Sequence, residues 1–217
     1  MKILTFDCYG TLLDTEPLYR LVESIAETNG LPPEKARTIF ESYEDRLMYG
    51  EDFIPYDKLL YENLTYCDME LDTDTFSRHF EDILNIHKSF EPFPDVIKTL
   101  EHLRERGYEL AVMSNTTNEL LNAHLERLHR VFTDCLTSEQ TGCYKPSLSF
   151  FRQAEKHFSL LEKEHIHIAR GYWWDIVPAA KMGWRRIWVN RGGLAKGRIQ
   201  EQPYVTISSL SELETIL

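Results

Sequence analysis

The chain has 217 residues, 42% of them hydrophobic, and a formal net charge of −11. This composition excludes a disordered chain and, for want of concentrated Lys and Arg, a general nucleic-acid binder. No apolar stretch approaches the about 20 residues of a membrane span, and Asp7 interrupts the early apolar run that a signal peptide would need. A cytoplasmic protein that meets neither nucleic acid nor membrane is expected, and the negative charge does not exclude a small anionic substrate, which a few local cations can hold. Cys8, Cys67, Cys135 and Cys143 contain no CxxC and no zinc-like spacing, and read as thiols in a reducing compartment.

Ile3, Leu4, Thr5 and Phe6 form a short apolar run that ends at Asp7, with Gly10 and Thr11 following. This is the pattern of a buried parallel strand. Helical spacing then takes over. Residues 17–28 place Leu18, Leu21, Val22 and Ile25 three and four apart, and Asn29-Gly30 stops them. Further helices are expected at 34–47, after Pro32-Pro33, and at 55–64. Asp72-Thr73 reads as a cap before Phe76, Phe80, Ile83 and Leu84. No strand is expected between 12 and 89, so this stretch reads as a helical insert.

Beyond Pro92-Phe93-Pro94 the chain alternates. Helices are expected at 95–106, 118–128, 147–157, 176–182 and 209–217. Strands are expected at 109–113, 132–136, 165–169 and 186–190, with a short edge strand at 205–207. Such alternation predicts an α/β domain with a parallel sheet. The expected division is an α/β core at 1–14 and 90–217 and a helical cap at 15–89.

Polar residues mark the strand ends: Asp7 and Thr11 after the first, Ser114 and Asn115 after the second, Lys145 after the third, Asp175 after the fourth. In an open α/β sheet those ends line one crevice, where ligands bind. Two carboxylates with one lysine suit covalent catalysis by a carboxylate. A free Asp, with a pKa of about 3.9, is ionised at neutral pH and needs no base in order to attack. Lys145 would hold its charge, and Asp175 would position or deprotonate a water. Read singly, Lys145 is a solvated lysine and Asp175 a helix cap; their joint spacing points to a site.

Four short motifs occur in order: Phe6-Asp7-Cys8-Tyr9-Gly10-Thr11, Met113-Ser114-Asn115, Tyr144-Lys145-Pro146, and Asp175-Ile176-Val177-Pro178-Ala179 followed by Trp188-Val189-Asn190-Arg191. With them the chain resembles the haloacid dehalogenase superfamily of hydrolases over nearly its whole length. The resemblance implies a Rossmann-like core with an α-helical cap after the first strand. It also implies Asp7 as nucleophile, with Thr11, Ser114, Asn115 and Lys145 in support.

Phosphatases of that superfamily carry a second Asp two residues after the nucleophile, to protonate the leaving group. Here the position is Tyr9, as in the L-2-haloacid dehalogenases, whose expelled halide needs no proton. Arg170 stands where metal-dependent relatives have an Asp and dehalogenases a Ser. Tyr172 replaces a water-orienting Asn, and Phe151 a frequent Tyr. Arg46 aligns, through a gap, with the cap arginine that receives halide or carboxylate. The expected catalytic residues are Asp7, Lys145 and Asp175. The expected substrate-binding residues are Tyr9, Thr11, Arg46, Ser114, Asn115, Arg170 and Tyr172.

Counting Arg170 and Lys145 against Asp7 and Asp175 leaves no excess negative charge for magnesium, so no metal or other cofactor is expected. The first reading is a dehalogenase-type hydrolase of a small 2-halo acid. A magnesium-dependent phosphatase of a small metabolite and a non-catalytic anion- or protein-binding member remain as alternatives. The cluster Trp173, Trp174, Trp184 and Trp188 is assigned to the core or to a homodimer patch. Residues 192–197, with Lys196, read as a solvated loop.

Overall fold

The computed structural model describes residues 2–50, 52–195 and 197–217, so Lys196 of the expected solvent loop lies outside the described residues. In chain order the elements are β1 (Lys2–Phe6), α1 (Glu16–Thr28), α2 (Pro33–Met48), α3 (Tyr56–Leu71), α4 (Phe80–Lys88), α5 (Val96–Glu105), β2 (Glu109–Ser114), α6 (Asn118–Leu125), β3 (Asp134–Thr137), α7 (Ser138–Thr141), α8 (Leu148–His157), β4 (Glu164–Ala169), α9 (Val177–Lys181), β5 (Arg185–Val189), β6 (Val205–Ile207) and α10 (Leu213–Ile216). Each of the six expected strands is present. Boundaries move by one or two residues, because the hydrogen-bond ladder rather than composition ends an element.

The chain divides into two compact units. The first comprises Met1–Asp14, Glu91–Asn115 and Leu125–Leu217. It holds one all-parallel sheet in the order β3-β2-β1-β4-β5-β6. This is a doubly wound, Rossmann-like α/β arrangement, whose order reverses between β1 and β4. Ile3, Met113, Phe150, Phe151 and Trp184 share one buried cluster against the sheet. Trp184 thus belongs to the core, whereas Trp173 is exposed.

The second unit comprises Thr15–Phe90 and Thr116–His124 and is helical. In α1, Leu18, Val22, Ile25 and Ala26 are buried at the spacing of one helix face. Lys88 donates to Glu119 at 2.8 Å within this unit, tying the second segment to α4. Helix α3 outruns the expected 55–64. Asp72 adopts the left-handed conformation (φ 51°) at its C-terminus instead of capping the next helix. That capping falls to Asp68, whose carboxylate accepts from the backbone of Phe76 (2.7 Å) and Ser77 (2.9 Å).

Candidate active site

Strand β1 is paired on both sides, and its ladder continues one residue further, where Asp7 N–H donates to the Ile168 carbonyl at 3.1 Å. The chain then folds back tightly, with the amides of Leu12 and Leu13 donating to the Cys8 carbonyl. Gly10 sits at φ +75°, and a Cβ there would come within 2.8 Å of Arg170 Nη1. The turn therefore needs glycine for its backbone angle, and the Arg170 side chain lies close against it.

Asp7 is 8% exposed, Lys145 and Asp175 1% each. Lys145 Nζ donates to Asp7 Oδ1 (2.8 Å), Asp175 Oδ1 (2.7 Å) and the Met113 carbonyl (2.9 Å), which uses all three of its protons. Thr11 Oγ1 donates to Asp7 Oδ2 at 2.5 Å and accepts from the Arg170 amide at 2.8 Å. Burial pushes the Asp7 carboxyl above its usual range, with Lys145 opposing and Asp175 adding. Burial also works against an ionised Asp175, but the Lys145 charge and the His167 hydrogen bond outweigh it and hold that carboxyl low. Burial alone would depress the Lys145 ammonium, yet the charges of Asp175 and Asp7 raise it. The result is one fixed cation between two carboxylates.

Neighbouring groups hold this trio in position. Asn115 brackets the backbone of Lys145, accepting from its N–H (2.7 Å) and donating to its carbonyl (3.0 Å). The Ser114 hydroxyl is buried at the end of β2 and has no hydrogen-bond partner among the described residues. Arg191 donates from Nε (3.3 Å) and Nη2 (3.1 Å) to the Thr11 carbonyl, and from Nη1 to Asp95 (3.0 Å). Asp175 lies in a short π-type turn (Tyr172–Ile176), and a Cβ on Gly171 would fall 2.5 Å from its Oδ2.

Sequence reading missed one polar chain. His167 Nε2 lies 3.1 Å from Asp175 Oδ1, its Nδ1 is 2.8 Å from Thr5 Oγ1, and Thr5 Oγ1 is 2.8 Å from His165 Nε2. Thr5 and His167 face each other across the β1–β4 pairing. Burial, aided by His167, pushes His165 down to about 3. The available signal was the alternation His165-Ile166-His167 within an otherwise apolar strand, which puts both imidazoles on one face.

The remaining expected residues divide. Tyr9 is half-buried in the turn, bridged through its backbone to Leu13. Arg170 is exposed and makes no ion pair among the described residues. It lines a cavity of about 300 Å³ together with Tyr172, Trp173, Trp174, Trp188 and Asn190. The Tyr172 hydroxyl accepts from the Arg198 amide (2.6 Å) and donates to the Glu201 carboxylate (3.1 Å). Its ring stands edge-on to Trp188, 4.9 Å away. Those contacts turn the hydroxyl toward the segment preceding β6. Arg46 belongs to the second unit, with its guanidinium 4.8 Å over the Tyr43 ring.

A family model described as haloacid dehalogenase-like hydrolase matches residues 1–183. The chain is 27% identical to (S)-2-haloacid dehalogenase 4A of Burkholderia cepacia, over 100% of this chain and 95% of that one. It is 33% identical to glyceraldehyde 3-phosphate phosphatase of Methanocaldococcus jannaschii, over 58% of this chain and 56% of that one. Among solved structures, a dehalogenase with an intermediate complex superposes with a TM-score of 0.84 at 25% identity, covering 100% of this chain and 97% of the other.

Proposed function

The chain belongs to the haloacid dehalogenase-like hydrolases, and on that premise we propose that it hydrolyses a small 2-halo acid through an ester on Asp7. The observation that carries this reading is the buried Asp7 carboxylate held by Lys145 and Thr11. A carboxylate oxygen attacks C2 of the substrate, the new C–O bond forms, and the carbon–halogen bond breaks with its electron pair leaving as halide. Water then adds to Cγ of the Asp7 ester and gives one proton to Asp175. The bond from Cγ to the ester oxygen breaks, and the released alkoxide takes the proton of the hydroxyl that water left on Cγ to become a 2-hydroxy acid. Asp7 returns as carboxylate, and the proton on Asp175 passes to solvent. Lys145 holds both carboxylates throughout. The Ser114 hydroxyl and the Arg170 guanidinium, neither engaged by a side chain of the described residues, receive the substrate carboxylate.

This chemistry runs without a metal. Magnesium needs about six oxygens in near-octahedral array. Here Lys145 occupies Oδ1 of both Asp7 and Asp175, Thr11 occupies Oδ2 of Asp7, and Arg170 brings a second cation against the Asp7 turn. This occupancy supports the metal-free reading.

The similarity to a phosphatase over part of the chain favours a second reading, hydrolysis of a small phosphate ester. Tyr9 speaks against it, since a phosphatase would lose a general acid contributing about 10²–10⁴-fold. A non-catalytic member would be marked by Arg170 closing on Asp7, whereas the side-chain partners of Asp7 are Lys145 and Thr11. The test is halide release from short 2-halo acids without metal, run beside phosphate release from an ester panel with and without magnesium. Halide release that vanishes in Asp7→Asn is expected. Phosphate release that depends on Asp7 and magnesium would replace this reading with the second.

A further inference from the structure

Both side-chain hydrogen bonds to Asp175 converge on one oxygen. Oδ1 takes Lys145 Nζ (2.7 Å) and His167 Nε2 (3.1 Å). Oδ2 accepts none from the described residues and lies against Gly171, where the missing Cβ leaves it room. An ionised carboxylate only accepts, so His167 Nε2 must carry a proton. For neutral rings the rest follows uniquely: Nδ1 of His167 accepts from the Thr5 hydroxyl, and Thr5 accepts from His165 Nε2–H. His167 is 0% exposed, and its tautomer is therefore set by Asp175, with the Thr5 hydroxyl of β1 completing it, rather than by solvent.

We propose that His167 is a positioning residue of the ester-hydrolysis step, fixed by Thr5, which pins Oδ1 of Asp175 so that Oδ2 is the oxygen that takes the proton of water. The proposal rests on the Asp7-ester reading. Lys145 bonds both carboxylates and serves both halves of the reaction. Of the two carboxylates His167 bonds only Asp175, which acts in the second half. The groups around its ring are Thr5 from β1, His165 on its own strand, Asp175 with Lys145 beyond it, and the rings of Phe151 and Trp184.

The experiment compares wild type, His167→Leu, His167→Gln and Thr5→Val with a short 2-halo acid. In His167→Leu, kcat should fall about tenfold or more, within the about 10²–10⁴-fold that a positioned base contributes. Its kcat/KM, which reports only the steps up to halide loss, should hold. Rapid mixing should give a halide burst of one per site, and mass spectrometry an ester on the peptide that contains Asp7. The acid limb of kcat should move to higher pH, because an Asp175 that has lost a donor protonates more readily. Gln keeps one donor and one acceptor and should restore kcat. Thr5→Val, which keeps the imidazole but removes the partner of its Nδ1, should show a smaller loss of the same kind, and carries the test if the Leu variant does not fold.

Unchanged kcat in both the Leu and Val variants would overturn the proposal, as would an equal fall of kcat and kcat/KM without rescue by Gln. Wild type that releases no halide would sink the dehalogenase reading, and the proposal with it. Wild-type turnover with insensitive variants would sink the proposal alone.

Discussion

In the sheet unit, Lys145 and Asp175 are buried within 2.7 Å of each other and Asp7 completes the trio. In the helical unit, Arg37 meets Glu16 and Glu41, both at 2.9 Å, with 28% of its side chain still in water. Such solvent-accessible pairs contribute about 0–1 kcal/mol. A buried charged group costs several kcal/mol to desolvate, and good geometry only offsets that cost. The helical unit's ion pairs are explained by holding helices together. The sheet unit's trio is a poor way to gain stability, and chemistry is the better account of it.

The widest gap between the units should come from Lys145→Met. It leaves two buried carboxylates with no cation between them and should cost about 3–5 kcal/mol in urea unfolding, with turnover abolished. A stable Lys145→Met protein would mean that water reaches the trio far more freely than its burial indicates.

Acid comes next and strikes both units. His165 in the sheet and His87 in the helical unit are each pushed by burial to about 3. Unfolded, each binds a proton near pH 6.5, so the unfolded chain holds more protons between about pH 6.5 and 3. Stability is therefore lost as pH falls through that window, by about 2 kcal/mol per histidine at pH 5. Urea midpoints at pH 7 and 5 check this, and His165→Gln should flatten the slope by its share. A midpoint indifferent to pH would show that both imidazoles reach water.

The smallest effect belongs to Arg37→Ala. Removing its paired bonds to Glu16 (2.9 Å each) should change unfolding by about 1 kcal/mol or less and leave turnover alone. A loss as large as that of Lys145→Met would erase the contrast between the units.

The strands were legible because a parallel strand buried on both faces must be apolar throughout, as Ile3 to Phe6 and Leu110 to Met113 are. Lys145 and Asp175 were legible as strand-end residues, and they do meet. Asn115 is legible as a strand-end residue, but that its side chain brackets the backbone of Lys145 is a pairing no local pattern announces. The end of α3 was misread because Asp is at home both as a cap and in the left-handed conformation, and only backbone geometry separates the two at Asp72. The Thr5–His167 contact joins residues far apart in the chain. It exists because β4 pairs beside β1 in one particular register.

By itself the sequence determined the alternation of strands and helices, the helical insert and the acids and lysine at the strand ends, since those depend on local periodicity and on which residues can leave a buried strand. Only the tertiary structure decided which oxygen of Asp175 is left open, which nitrogen of His167 carries its proton and where the Tyr172 hydroxyl goes. Those outcomes depend on strand order, register and distances within about 3 Å, the range of a hydrogen bond, and no one-dimensional pattern encodes them.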